Sequence, residues 1–265
     1  MLALVLSRRD FREDDQMVGL FTLSKGKIDV IARGVKKIVS KNSPHLEPFS
    51  LIEAEIIKGR ELDRLASVQP VKNFKNIRLD LAKSRLAGYA AIFLDKLLRP
   101  GGVGEEKLFG LFLGWLEFLA ADQKTASPRR ASPLLLYSFI LKTFFVLGLA
   151  PVLDRCVRCG RLADWRHIGR AIFSPVEGGL AESTCPAPHP GRRIKGASRQ
   201  LFSSDKSLIL DANDIKLLRL LAEDKWPLIS RLKAEPSREF RVKEAIRRFA
   251  EHHTEAGLAR FSEGI

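Results

Sequence analysis

The stretch KGKIDVIARGVKKIVSKNSPHLEPFSLIE, residues 25–53, decides the fold. Its first part alternates: Ile28, Val30 and Ala32 share one face of an extended strand, and Asp29, Ile31 and Arg33 the other. Gly34 then breaks the pattern with a turn. A basic connection follows, carrying Lys36, Lys37 and Lys41 with no acid until Glu47. Apolar residues resume at Phe49 and start a second strand. A strand, a long cationic loop and another strand suit a β-structure that carries charge on a connection beside a barrel face.

Working outward, LALVLS (2–7), VGLFTLS (18–24), KIDVIAR (27–33), FSLIEAEIIKG (49–59) and ELDRLASVQPV (61–71) all read as strands. SKGK at 24–27 and KGRE at 58–61 supply the turns. Five short strands in residues 1–78 predict a small closed barrel. The OB-fold is the five-stranded version that binds oligonucleotides; an SH3-like barrel is the alternative at this strand count.

Past residue 80 the period becomes helical. In SRLAGYAAIFLDKLLRP, Leu86, Tyr89, Ala90, Phe93, Leu94 and Leu97 line one face, and Pro100 and Gly101 end the helix. EEKLFGLFLGWLEFLAA has two glutamates in its first turn, where the helix dipole favours them. A polar loop at 122–133 leads to an apolar helix at 134–149. Phe109, Phe112, Trp115, Phe118, Phe144 and Phe145 stand at helical spacing and are expected in the core. Residues 151–206 lose periodicity, and FSPVEGGL there reads as a turn between short strands. LDANDIKLLRLLAED then predicts a helix capped by Asp211 or Asn213. In the final helix Phe240, Val242, Ile246 and Phe249 are expected inward, and Arg241, Lys243, Arg247 and Arg248 outward. The expected class is α+β. Its parts are an OB-fold domain at 1–78, a helical bundle at 79–150, a zinc-finger-like insert at 151–206, and C-terminal helices at 207–265 packing on the helical domain.

Forty-five basic residues against 31 acidic ones give a net charge of +14 and a pI near 10.0. Polyanions are the expected partners, nucleic acid before acidic membrane. The apolar start precedes its arginines, the wrong order for a secretory signal. The most apolar stretch is interrupted by Lys142, so no bilayer span is expected. A soluble, cytoplasmic protein follows as the expectation. No P-loop, G-x-G-x-x-G, G-x-S-x-G or H-E-x-x-H occurs, and an enzyme is not expected.

Phosphate binding needs several cations on an open connection. Arg33, Lys36, Lys37 and Lys41 supply them, and Lys25, Lys27, Arg8 and Arg9 are candidates to extend the patch. Residues 1–80 hold no Trp or Tyr, and Phe11, Phe21, Phe49 and Phe74 are expected mostly in the core. With few bases able to stack, binding is expected to be charge-dominated, sequence-tolerant and steeply salt-dependent.

The chain has three cysteines. Cys156 and Cys159 form C-x2-C, the usual first half of a structural zinc site. Cys185 follows, with His189 four residues later and His167 as the rival fourth ligand. Cys3His is an accepted tetrahedral set; with four protein ligands the metal is structural and no catalytic cofactor is expected. Competing classes are a metal-dependent DNA-processing enzyme, a protein-interaction adaptor that does not bind DNA, and a zinc-dependent transcription regulator.

Three blocks give the chain a family likeness: residues 25–53 as quoted above, GLAPVLDRCVRCGR at 148–161, and FSPVEGGLAESTCP at 173–186. Gly34, the basic pair, Ser40 and LEPF carry it in the first block. In their order and spacing these blocks resemble the RecO family of bacterial recombination mediators. The resemblance implies an N-terminal OB-fold, a helical domain, a zinc-finger-like insert and no enzymatic turnover. It also implies binding of single- and double-stranded DNA, annealing of complementary strands, and partnership with RecR. By the same resemblance, the pair would help RecA displace single-stranded-DNA-binding protein, whose acidic C-terminal tail docks on the helical domain of family members. This chain departs from the family at the metal: members with an intact site carry a second cysteine pair where this chain has Cys185 and His189.

Overall fold

The computed structural model describes residues 1–37, 40, 42–100, 106–121, 132–164, 169–183, 185 and 207–254. They fall into two compact units, Met1–Ser132 and Pro133–Ile265. These units follow packing, whereas the four-part division expected from the sequence follows composition.

Strands β1 (Leu2–Asp10), β2 (Gln16–Thr22), β3 (Gly26–Ala32), β4 (Leu51–Ile57) and β5 (Asp63–Lys72) close into a barrel of order β1-β2-β3-β5-β4. Closure needs two non-sequential pairings. β1 runs antiparallel to β4 (Leu2 opposite Glu53), and β3 parallel to β5 (Val30 opposite Asp63). The barrel is the predicted five-stranded OB type. Period two explains its interior: Ala3, Val5, Val18, Leu20, Val30 and Ala32 point inward and pack with Ile52 and Ala54, and Ile28 lies against them.

The other face of β1–β3 is also dry. Leu4, Leu6, Phe21 and Ile31 point out of the barrel yet are buried. Helices α2 (Leu81–Leu97) and α3 (Glu106–Ala120), which follow the short α1 (Lys75–Arg78), cover that face. The Phe21 ring meets Phe109 of α3 at 5.5 Å between centroids. Asp80 caps α2 by accepting from the Ala82 and Lys83 N–H groups at 2.9 and 3.1 Å. Leu86, Ala90, Phe93 and Leu94 form its buried side, as their spacing predicts.

In the second unit α4 (Pro133–Val146) is buried almost all round, which fits its lack of a polar face. Around it lie α5 (Ala212–Glu223), α6 (Trp226–Ile229) and α7 (Pro236–His253). Asp211, one of the two expected caps, closes a capping box with Asp214 at the start of α5. Strands β6 (Arg170–Ser174), β7 (Gly179–Glu182) and β8 (Leu208–Asp211) form a sheet of order β7-β6-β8.

Two core expectations fail here. Phe145 is 74% exposed beside the fully buried Phe144, because adjacent helical residues point about 100° apart. Phe240 is 66% exposed, because Val242, Ala245, Ile246 and Phe249 set the inward stripe. Phe240 lies two residues before that stripe begins, roughly 200° around the helix.

Candidate nucleic-acid interface and metal centre

The basic loop leaves β3 at Arg33 and is fixed at both ends. Gly34 stands at φ 61°, a left-handed conformation that glycine adopts without strain. Its N–H donates to Asp15 Oδ1 at 2.9 Å. At the far end Phe49 is held at φ 73° with its ring buried, its N–H donating to the Val5 carbonyl at 2.9 Å. Arg8 braces the loop from below. Its guanidinium donates to Glu47 Oε1 at 2.8 Å, to Ser43 Oγ at 3.0 Å, and to Gln16 Oε1. Arg33 just before the first fixed point, and Lys36 and Lys37 after it, are exposed.

The other predicted contacts separate into distinct roles. Arg9 is exposed, 3.8 Å from Asp29 Oδ1. Lys25 is exposed on the β2–β3 turn, a strand's length from Arg33, roughly 25 Å at the usual rise. Lys27 is only 7% exposed. Its ammonium lies 2.9 Å from Asp95 Oδ1 of α2 and also donates to the Asp95 carbonyl, so it fastens the barrel to the helix. Lys41 lies outside the described residues. Because α2 and α3 cover the β1–β3 face, the open part of the barrel near these cations is its rim.

One group was missed by the sequence reading: the acidic tip of the β1–β2 hairpin. Asp10 Oδ2 stands 3.3 Å from Lys36 Nζ, and Asp14 Oδ2 stands 3.4 Å from Lys37 Nζ. The Lys36 N–H donates to the Asp14 carbonyl at 3.1 Å. Hydrogen bonding from Gln16, then Lys36, holds the Asp10 carboxyl below its usual range. The signal was available. Gln16 pairs with Ala32, so antiparallel register places residues 10–15 beside the chain that follows Ala32. Phe11, on the same tip, is 38% exposed, against the expectation of a core position, and the Arg12 guanidinium stacks 5.1 Å from its ring centre.

In the second unit the three cysteine sulfurs lie within 4.8 Å of one another. A tight knuckle places the first two. The Cys156 N–H donates to the Arg161 carbonyl at 2.9 Å, and the Gly160 N–H to the Cys156 carbonyl at 2.8 Å. The β6–β7 hairpin brings up Cys185, whose N–H donates to the Glu182 carbonyl at 3.2 Å. Hairpin and knuckle are fastened twice. Arg158 forks onto Glu177, with Nε–Oε1 at 2.9 Å and Nη2–Oε2 at 3.0 Å. Val152 and Gly179 form a parallel bridge so close that a Cβ at Gly179 would run into the Val152 carbonyl. Tetrahedral Zn–S bonds of about 2.3 Å place sulfurs about 3.8 Å apart, so the trio fits such an ion. The Cys159 thiol is held down to about 7, first by the Arg161 backbone N–H. His189 and His167 lie outside the described residues. No helix among the described residues is long and apolar enough to cross a membrane.

Comparison with known proteins gives a consistent answer. The family model described as Recombination protein O N terminal matches residues 1–74, and that described as Recombination protein O C terminal matches residues 78–260. The chain is 34% identical over 262 residues to a DNA repair protein RecO from Anaeromyxobacter dehalogenans strain 2CP-C, covering 98% of this chain and 92% of that one. It is 32% identical over 261 residues to the protein of the same name from Anaeromyxobacter sp. strain K, with the same coverage. A third, from Geobacter sulfurreducens, is 38% identical over 160 residues, 60% of this chain and 62% of that protein. The first model ends where the barrel does, and the second spans the helices and the cysteine knuckle: the chain belongs to the RecO family of recombination proteins.

Proposed function

We propose that this chain is a recombination mediator in DNA repair that grips the phosphate backbone of single- and double-stranded DNA with the loop after β3. The observation that carries the reading is the exposed trio Arg33, Lys36 and Lys37, fixed on the rim of an OB barrel. Phosphate contacts are blind to sequence and strand number, which suits a protein that must hold whatever strand a gap exposes. A surface holding two strands also screens their repulsion, so complementary strands anneal faster on it. The partners are RecR, the C-terminal tail of single-stranded-DNA-binding protein, and RecA indirectly, acting in the cytoplasm without enzymatic turnover. Cys156, Cys159 and Cys185 hold a structural zinc ion with His189 as fourth ligand. His167 is the rival for that position.

The test is fluorescence anisotropy of a single-stranded oligonucleotide over a salt series, for the native chain and for a variant with Arg33, Lys36, Lys37 and Lys41 changed to alanine. Affinity is expected to fall at least tenfold, with the log–log salt slope shallower by about two to three. Unchanged binding would move the DNA site elsewhere, and no binding by the native chain would favour an adaptor that does not touch DNA.

A further inference from the structure

We infer that the acidic tip of the β1–β2 hairpin is a built-in competitor for the phosphate site, with Asp10 and Asp14 occupying Lys36 and Lys37 until a polyanion displaces them. The inference rests on the DNA-binding reading above. Its basis is the pairing of two carboxylates with two loop lysines, at 3.3 and 3.4 Å. All four side chains keep substantial exposure, so the pairs are weak and open to exchange.

The arrangement has a fixed part and an exchangeable part. Asp15 holds the Gly34 N–H, and the Asp14 carbonyl holds the Lys36 N–H. These bonds keep tip and loop side by side whether or not the ion pairs are made. The carboxylates of Asp10 and Asp14 then act as a tethered anion at high local concentration. A single phosphate gains little by replacing them. A nucleic-acid backbone offers many phosphates at once and releases its own condensed cations, so it can displace both. The tip therefore selects for dense polyanions over mononucleotides and inorganic phosphate.

The test compares oligonucleotide affinity for the native chain, Asp10→Asn/Asp14→Asn, Glu13→Gln, Lys36→Ala/Lys37→Ala and the four-site combination. Asparagine keeps an oxygen for the Gln16 amide, which donates to Asp10 at 2.9 Å. Glu13 is exposed on the same tip and lies outside these pairs, so its variant measures the effect of removing one nearby negative charge. The double asparagine variant is expected to bind about three- to tenfold tighter at low salt, more than twice the gain from Glu13→Gln. The gain should shrink as salt rises, because screening weakens the competing pairs too. It should vanish when both lysines are alanine. A gain that persists in the lysine-free background, or one matched by Glu13→Gln, would overturn the inference and leave the DNA site standing. If Lys36→Ala/Lys37→Ala binds as tightly as native, these lysines are not the phosphate site, and the inference falls with that part of the reading.

Discussion

The lysines of the barrel rim and the arginine forks of the second unit use positive charge differently. On the barrel rim Lys36 and Lys37 meet their acids at 3.3 Å or more, through side chains that stay exposed. In the second unit several arginines are tied into the fold. Arg241 forks onto Asp214 at 2.7 and 2.9 Å, and Arg247 onto Glu244 at 2.8 and 2.7 Å. Arg219 grips the Leu153 carbonyl at 2.6 Å. Side-chain chemistry suits these roles: the planar guanidinium fork holds a carboxylate at fixed geometry, as Arg241 does between α7 and α5, whereas an exposed lysine is a mobile, strongly hydrated point charge. A net charge of +14 therefore overstates the charge available to a ligand. Changes at the rim should alter binding, and changes among the fork pairs should alter stability.

Removing the metal sets the two units furthest apart. With a chelator, or in Cys156→Ser, the knuckle would lose the zinc ion proposed to join Cys156, Cys159 and Cys185. Structural zinc sites contribute on the order of 10 kcal/mol to small folds that depend on them. Hydrogen exchange by mass spectrometry should show amides 152–164 and 170–182 losing protection by several kcal/mol, while β1–β5 keep theirs. Unchanged exchange in the knuckle would mean that Arg158–Glu177 and the Val152–Gly179 bridge hold it without an ion. Loss of protection in the barrel as well would break the comparison.

The sequence made the barrel legible because alternation is a local signal, and Val30 and Ala32 sit on the face it assigned. It made the cysteine trio legible because C-x2-C turns on itself and the FSPVEGGL hairpin carries Cys185 back. Lys27 shows where local pattern stops. Alternation puts it outside the barrel, which is right, but only tertiary packing places Asp95 of α2 over that outside face. The acidic tip required a different step. Asp10 and Asp14 are more than twenty residues from Lys36 and Lys37 in the chain, and only strand register makes them neighbours. Phe145 and Phe240 were misplaced because composition marks a helix as apolar without fixing which rotation faces the core.

A sharper contrast comes from Asp214, which is 0% exposed. It receives Arg241 from α7 and closes the capping box of α5. Asp214→Asn removes the buried, closer carboxylate partner of Arg241 and leaves it the more distant Asp211 at 3.3 Å, and about 2 kcal/mol of stability should be lost. Lys36→Ala/Lys37→Ala should stay within about 0.5 kcal/mol of native, as exposed pairs do. Urea unfolding of the two variants measures both, read from midpoints at constant slope. Equal losses would remove the distinction between structural arginine and accessible lysine.

The smallest effect concerns pH and α7. Glu244 accepts from Arg247 and Arg248, and the Arg247 hydrogen bond first, then that of Arg248, hold its carboxyl down to about 2. An unfolded glutamate titrates near 4.3. A folded-state value below the unfolded one means the stabilisation is complete above about pH 5 and is lost as pH falls toward 2. The pairs are of the i,i+3 and i,i+4 kind and partly solvated, so together they are worth only about 1 kcal/mol. Thermal unfolding of the native chain and Glu244→Gln should therefore differ by about 3 °C at pH 7 and converge by pH 2. A difference that instead grew as the pH fell would carry the wrong sign for a paired carboxylate. Arg247 and Arg248 would then not act as stabilising partners of Glu244 within α7.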